Sequence, residues 1–277
     1  MRLLASSNGL PGLDRVPLWF NDPSNWWGPD GLLVRIREHV LYTVLIVVVA
    51  MLIALPLGLL IGHTGRGVVV VAGLANGLRA VPTLGFVLLL VVTISPHIHS
   101  KAEIPYLIPR GGVPYFIPIA IVLVLLAIPP ILTNTYAGVQ AVDPAARDAA
   151  LGMGMGAAQV VRKVEFPCAL PLILSGIRSA TLQVIATATV AAYVPFLGGL
   201  GRFIVDGAGQ INDPQFGYPA MVGAGIVVAV LAVVVDGVLN LLQRVVVSPG
   251  VSGRFSGRQP LADLATGTTT EAQLAHT

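Results

Sequence analysis

Five long apolar segments dominate this sequence and decide what it can fold into. Each is about 20 residues long or longer, the length at which a helix crosses the hydrocarbon core of a bilayer. We predict spans at Val40–Gly62, Val68–Ile94, Tyr115–Tyr136, Cys168–Tyr193 and Ala220–Leu242. Asn76, Arg79 and Pro82 interrupt the second of them, which leaves open that it begins as an interfacial helix and turns inward near Pro82. Backbone groups in lipid must be satisfied within their own segment, so the spans are helices. The chain is therefore predicted to be an all-α membrane protein, a polytopic helical bundle of about five transmembrane helices.

The composition supports a membrane location and excludes several classes of function. Of 277 residues, 55% are hydrophobic and only 10% are charged, whereas a soluble domain is about 25% charged. The net charge of +3 forms no basic patch with interleaved aromatic residues, so we predict no nucleic-acid partner. The single cysteine, Cys168, and five scattered histidines indicate no metal site. No phosphate-binding Gly-x-x-x-x-Gly-Lys-Ser/Thr loop occurs, so the chain is predicted to be no enzyme and to hold no cofactor.

The remaining segments divide the chain into three parts. Residues 1–39 are predicted to be an N-terminal tail followed by an interfacial helix at Leu32–His39, with Trp19, Trp26 and Trp27 at the level of the lipid headgroups. Residues 40–243 form the membrane domain. Residues 244–277 form a polar tail that we predict to be disordered.

Residues 143–167 are the most polar interruption in the second half of the chain. Asp143 suits the N-cap of a helix and Pro144 suits its first position. Alanines and a leucine then propagate the helix, and three glycines between positions 152 and 156 end it. We therefore predict a short capped helix whose small residues let another protein approach closely, with Arg147 and Asp148 offering polar contacts at its rim.

The fourth span carries an unusual number of polar side chains. Lipid-facing helices tolerate few such groups, so one face of this span must line a wet pathway or a partner helix. The candidate residues of a translocation path are Arg178, Ser179, Thr181, Gln183 and Thr187. The four uncharged ones follow a helical spiral rather than one stripe, which leaves both path lining and interhelical hydrogen bonding open.

Residues 143–167 resemble the EAA loop of the permease subunits of ATP-binding cassette (ABC) importers. The family pattern is Glu-Ala-Ala, three residues, Gly, nine residues and Ile-x-Leu-Pro. This chain has Asp148-Ala149-Ala150, Gly154 and Val164-Glu165-Phe166-Pro167 at the same spacing, with conservative replacements. The resemblance implies an ABC type I importer permease fold, in which this loop is the cytoplasmic coupling helix that docks into a groove of the ATPase subunit. The coupling residues that it implies are Asp143, Arg147, Asp148, Ala149, Ala150, Gly154, Val164, Phe166 and Pro167.

A wider resemblance, over roughly residues 75–210, is to permeases for glycine betaine and related osmoprotectants. It rests on Arg79-Ala-Val-Pro-Thr-Leu84, Gly152-Met-Gly-Met155, Ser175-Gly-Ile-Arg-Ser-Ala-Thr181 and Gly198-Gly-Leu-Gly201, among others. It implies a multi-pass protein of the bacterial cytoplasmic membrane that moves glycine betaine, carnitine, choline or proline by alternating access. The implied partners are a cytoplasmic ABC ATPase, an extracytoplasmic substrate-binding protein, a second permease subunit (the same chain or a paralogue) and the lipid bilayer.

Arg178 lies seven residues beyond Pro171, inside the fourth span. Two interpretations are open. Arg178 ties the inner end of the path to the coupling loop, through Glu165, Asp148 or an acid of a neighbouring subunit, or its long stem snorkels to the cytoplasmic interface. If Arg178 only snorkels, lysine can replace it. If Arg178 instead donates several hydrogen bonds through its planar guanidinium, lysine cannot replace it, because an ammonium group lacks that planar set of donors.

Two other functions are alternatives to an osmoprotectant importer. One is an ABC permease for another small polar substrate, such as an amino acid. The other is an ion-coupled secondary transporter, which would be expected to have internal repeats and carboxylates at the midplane. The sequence has no such repeat, and Asp236 is the only acid within a predicted span. The distribution of Lys and Arg does not decide the orientation, which rests on the resemblance.

Overall fold

A computed structural model describes residues 13–100, 102, 112–194 and 197–247, and these residues are mostly helical. Their α-helices are α1 (Val16–Asn21), α2 (Leu32–Thr64), α3 (Val68–Ala80), α4 (Thr83–Ile94), α5 (Val113–Gln140), α6 (Pro144–Gly152), α7 (Ala157–Val160), α8 (Phe166–Ala191), α9 (Gly201–Gly209) and α10 (Gly217–Val246). The predicted all-α membrane fold is confirmed. Residues 244–246 of the predicted disordered tail are instead helical, at the end of α10, and residues 248–277 lie outside the described residues.

Four helices in the described part of the chain are long and apolar enough to cross a membrane. They are α2, α5, α10 and the continuous helix Ala157–Ala191, which joins α7 to α8. The remaining predicted span is divided into α3 and α4 at Val81-Pro82. Proline has no N–H to donate and disfavours helical geometry in the residue before it, and Val81 is extended (φ −75°, ψ 127°).

Helix α2 begins at Leu32, eight residues before the predicted span. Residues 32–39 therefore continue directly into the span, and the predicted boundary at 39/40 falls inside one helix. Arg35 ion-pairs with Asp30 at 2.6 Å and with Glu38 at 3.0 Å, so its charge is compensated within the first turns. A helix of 33 residues is about 50 Å long, which exceeds the hydrocarbon core and leaves its charged beginning outside the lipid.

Helix α5 lies at the centre of the bundle and packs against both α2 and α8. Small residues recur every fourth position on the buried face of α2, at Ala50, Ala54, Gly58 and Gly62. A Cβ atom added to Gly58 would lie 2.6 Å from Cβ of Thr135 on α5. Lipid does not drive apolar helices together as water does, so the spans are held by close packing that such small residues permit.

Gly58→Leu is expected to lower the yield of monodisperse, detergent-extracted protein several-fold. The new side chain would have to push the α5 backbone away, and overpacking costs about 1–3 kcal/mol even where neighbours can shift. Size-exclusion chromatography of the extracted protein measures the effect. Gly237→Leu on α10 is the matched control, because a Cβ there meets open space. Equal yields of the two variants would contradict close packing of α2 on α5.

The segment between the fourth and fifth predicted spans contains the helix α9. Trp19, predicted at the membrane interface, is instead buried, with its ring edge-on to Phe203 of α9 at a centroid distance of 5.6 Å. Gly223 of α10 makes the space for it, since a Cβ there would lie 2.5 Å from the indole ring. Trp27 is exposed. The helix pair α9–α10 thus holds the N-terminal segment through Trp19. The charge and hydropathy pattern of the sequence does not distinguish Trp19 from Trp26 and Trp27.

The turn between α8 and α9 is fastened to the beginning of α2. Gly199 donates its N–H to Oε2 of Glu38 at 2.7 Å, and Leu200 donates its N–H to Nδ1 of His39 at 3.3 Å. The other ring nitrogen of His39 lies 3.1 Å from the carbonyl oxygen of Ile185. Because α2 runs the length of the bundle, this network marks the end opposite to the end that carries α6.

Candidate functional site

Helix α6 is the capped helix that the sequence predicts. Asp143 Oδ1 accepts a hydrogen bond from the N–H of Ala145 at 2.9 Å, and Pro144 occupies the first turn, where no N–H is needed. The helix ends at Gly152, and Gly154 follows with φ +83°, a conformation in which a side chain would be strained. Local capping chemistry therefore sets both ends of α6.

The outward surface of α6 combines small, apolar and charged groups. Ala150 faces the protein, while Asp148 and Ala149 are exposed. Leu151 is 53% exposed and Met153 is 72% exposed, although α6 itself is too short to span a membrane. An exposed apolar patch beside small residues is typical of a protein-protein contact, and methionine adapts readily to a partner's surface.

Arg147 points from α6 back into the bundle, where it meets a buried carboxylate. Its Nε lies 2.9 Å from Oε1 of Glu165, which is 0% exposed. The Nε–H does not point at that oxygen, so the contact is an ion pair rather than a hydrogen bond. His63 Nδ1, at the end of α2, lies 3.0 Å from both oxygens of Glu165. The guanidinium of Arg147 also donates to the carbonyl oxygen of Val139 near the end of α5.

The end of the predicted coupling loop is helical. Val161–Glu165 forms a π-helical segment between α7 and α8. Pro167 has no N–H and its ring crowds the preceding turn, which accounts for the local widening of the helix. Val164 and Phe166 are half-buried and Pro167 is exposed. The fourth span therefore begins well before Cys168, the position predicted from apolar character.

Helix α8 has an exposed polar face. Ser175, Ser179 and Ala186 are exposed at helical spacing, and Gln183 and Thr187 are half-buried at the edge of that face. An exposed hydroxyl group in a span bonds the carbonyl oxygen one turn before it, water or another protein, because lipid offers it no partner. Thr181 lies on the other side of the helix, where it is buried and donates its hydroxyl to the carbonyl oxygen of Ile177 at 2.8 Å.

Arg178 is paired with Asp236 of α10. The guanidinium makes two hydrogen bonds to the carboxylate, one of them from Nη2 to Oδ2 at 2.5 Å. Of the partners that the tie interpretation allows, Glu165 is occupied by Arg147 and His63, and Arg178 bonds Asp236 instead. The two side chains are 34% and 29% exposed, so the pair lies at an open edge of the helix packing. The sequence does carry a signal for this pair: Arg178 is the one charged residue of the fourth predicted span, and Asp236 is the one charged residue of the fifth.

Two solved structures that share this fold are ABC transporters. The chain superimposes on a chain of the MetNI methionine ABC transporter with a TM-score of 0.62 at 17% identity, covering 78% of this chain and 96% of that one. A chain of an amino acid ABC transporter with histidines gives a TM-score of 0.56 at 19% identity, covering 86% and 99%. These likenesses confirm the predicted ABC type I importer permease fold.

Several curated permeases are similar in sequence along most of their length. The choline transport system permease protein OpuBB of Bacillus subtilis (strain 168) is 30% identical over 220 residues, which cover 79% of this chain and 90% of that protein. The glycine betaine/carnitine/choline transport system permease protein OpuCB of the same strain is 30% identical, with 80% and 91% covered. The osmoprotectant import permease protein OsmW of Salmonella typhimurium is 30% identical, with 77% and 91% covered.

Residues 54–247 match the family described as binding-protein-dependent transport system inner membrane component. The match begins within α2 and runs to the end of α10, so it includes α6, the Glu165 cluster and the polar face of α8. Together with four apolar helices in the described residues, it identifies a multi-pass membrane protein that works as a part of a larger transporter and is not itself catalytic. The chain belongs to the family of inner membrane components of binding-protein-dependent transport systems.

Proposed function

We propose that this chain is the permease subunit of an ATP-driven importer of osmoprotectants, among them glycine betaine, carnitine, choline and proline. The observation that carries the proposal is the 30% identity, over 220 residues, with a permease named for choline transport. We assign transport to residues 40–243 and coupling to residues 143–167.

The partner that supplies energy is a cytoplasmic ABC ATPase, which docks on α6. The exposed side chains of Leu151 and Met153, the small residues beside them and the charged rim of Asp148 support this contact. The orientation of the chain follows, with α6 in the cytoplasm and the turn fastened by His39 on the outer side. A substrate-binding protein delivers the substrate to that outer side.

The polar face of α8 supports a path shared with a second permease subunit, either the same chain or a paralogue. Ser179, Gln183 and Thr187 are accessible in the single subunit, whereas lipid would offer their polar groups nothing. Of the predicted path residues, Thr181 is the least accessible, and its hydroxyl is already satisfied within the helix. Arg178 reaches the edge of the same face, where Asp236 compensates its charge.

The chemistry of the substrate suits such a path. Glycine betaine has a fixed positive charge and a carboxylate, so it has little net charge, and hydroxyl groups can guide it without holding it. Weak binding in the path permits release, while the binding protein selects the substrate through aromatic rings around the quaternary ammonium group. ATP-driven closure of the ATPase pair swings the coupling helices and switches the access of the path from the outside to the inside.

The test is uptake of labelled substrates by bacteria without osmoprotectant transporters of their own. The chain is produced together with the ATPase and binding protein encoded by neighbouring reading frames. We expect uptake of glycine betaine, choline, carnitine or proline that requires all of the subunits and ATP. An ATPase with an inactivated nucleotide site is the matched control, because it assembles but supplies no energy.

The other outcomes separate the alternatives. Uptake of histidine or methionine without uptake of any osmoprotectant would replace the proposed substrate class. Uptake that persists without the ATPase and collapses when ionophores remove the ion gradients would identify an ion-coupled carrier and refute the proposal.

A further inference from the structure

The attachment of α6 to the bundle depends on few groups. On one side α6 follows the short connection Ala141–Asp143, and on the other it leads to α7 through residues 153–156, which include Gly154 and Gly156. Glycine resists bending and twisting of the backbone less than any other residue. The chain that connects α6 to α8 therefore transmits movement poorly. A movement of α6 must reach the spans through side-chain contacts instead.

Arg147 is the side chain that provides such a route. Its position in the middle of α6 brings the guanidinium to the carboxylate of Glu165 and to the carbonyl oxygen of Val139. One residue thus joins α6 to the end of α5 and to the beginning of the long helix that contains α8. The side chain of Arg147 is 25% exposed, so most of it is enclosed by this junction.

Glu165 brings a third span into the same junction. His63, the penultimate residue of α2, lies 3.0 Å from both of its oxygens. The carboxylate is completely buried, and a buried charge that loses its partner is strongly unfavourable. Glu165 must therefore follow Arg147 when α6 moves, or carry α6 with it when the spans move.

The backbone at Glu165 is suited to movement. It is the last residue of the π-helical segment Val161–Glu165, and such segments interrupt regular helices where a shift in register is tolerated. A displacement of α6 can therefore be taken up here as a change at the base of α8, instead of being lost along a rigid helix.

We propose that the Glu165–Arg147 pair, steadied by His63, is the joint that makes the spans α2 and α8 follow α6 when the ATPase moves it. This inference rests on the proposed function. Glu165 and Arg147 are positioning residues that touch neither substrate nor nucleotide. Their role is to keep ATP hydrolysis and transport in step, and removing the joint leaves an ATPase that turns over without moving substrate.

The readout is the number of ATP molecules hydrolysed per substrate imported, measured with the complete complex in proteoliposomes. For Glu165→Gln and for Arg147→Gln we expect this ratio to rise about three- to tenfold, the range in which residues along a coupling route act. The double variant should be no worse than either single variant, because both remove the same contact. Arg66→Gln is the matched control, because it removes an exposed charge three residues after His63 and outside residues 143–167.

A purely structural role gives different results. It would lower assembly, hydrolysis and transport together and leave the ratio of ATP to substrate at its wild-type value. That outcome would refute the proposal that the Glu165–Arg147 pair couples α6 to the spans. If Glu165→Gln does not assemble, Arg147→Met with Glu165→Gln tests the same point, since no charge is then left unpaired. A wild-type complex that imports no osmoprotectant refutes the proposed function, whereas wild-type import with unchanged ratios in the variants refutes only the joint.

Discussion

Met153→Glu and Gly154→Leu are expected to give a permease that inserts into the membrane but loses its ATPase subunit during purification. Met153 presents the most exposed apolar side chain of the α6 region, and a carboxylate there would have to be desolvated in the interface. Gly154 has φ +83°, so a leucine strains the turn that ends α6. Central interface residues commonly account for about 2 kcal/mol or more, which corresponds to a loss of affinity of roughly 30-fold.

Asp148→Lys belongs to the same experiment, because it reverses an exposed charge at the rim of α6. Rim charges contribute less than central apolar groups, so we expect a smaller loss for this variant. The measurement is the amount of ATPase recovered with the tagged permease. Asn212→Lys, an exposed change at the other end of the bundle, controls for the effect of an added charge. Undiminished recovery and uptake in all three α6 variants would reject α6 as the docking helix.

Helix α6 could be predicted from the sequence because everything that makes it a helix is local. Asp143 caps it, Pro144 starts it and the glycines end it, and none of these needs a distant partner. The division of the second apolar segment at Val81-Pro82 is also a local effect, because Pro82 donates no N–H and disfavours helical geometry in Val81. Proline alone does not predict it, since Pro56 and Pro130 lie inside continuous helices. Features of this kind depend on a few neighbouring residues and leave a visible pattern.

The Glu165 cluster could not be predicted, because its members are far apart in the chain. His63 and Glu165 are separated by 102 residues, and only the packing of α2 beside the base of α8 brings them together. That packing depends on small residues such as Gly58. Hydropathy alone does not distinguish these residues from the others in a span. From the sequence, Glu165 is only one possible partner of Arg178, whereas the structure buries it completely beside Arg147 and His63.

The ion pair between Arg178 and Asp236 leads to the second large prediction. Helix α10 has little of its surface buried against the rest of the chain, so this pair and the hydrogen bond from Gln243 to the carbonyl oxygen of Pro171 hold its inner half to α8. Arg178→Glu places two acids side by side, and Asp236→Arg places two guanidinium groups side by side. We expect either change to lower the abundance of folded permease several-fold and to abolish uptake.

The exchange of both residues, Arg178→Glu with Asp236→Arg, distinguishes an ion pair from two independent sites. If the role of the residues is to hold α10, the doubly changed permease regains most of its abundance, because opposite charges face each other again. Uptake compared at equal abundance of the permease then shows whether the pair also has a role in transport, beyond holding α10. Arg178→Lys should keep the abundance, since the charge is retained, but reduce uptake if the two hydrogen bonds to Asp236 matter, because an ammonium cannot donate through a planar fork. Wild-type uptake by Arg178→Lys would leave Arg178 with an anchoring role only. If the permease with both residues exchanged is no more abundant than either single variant, the pair does not hold α10.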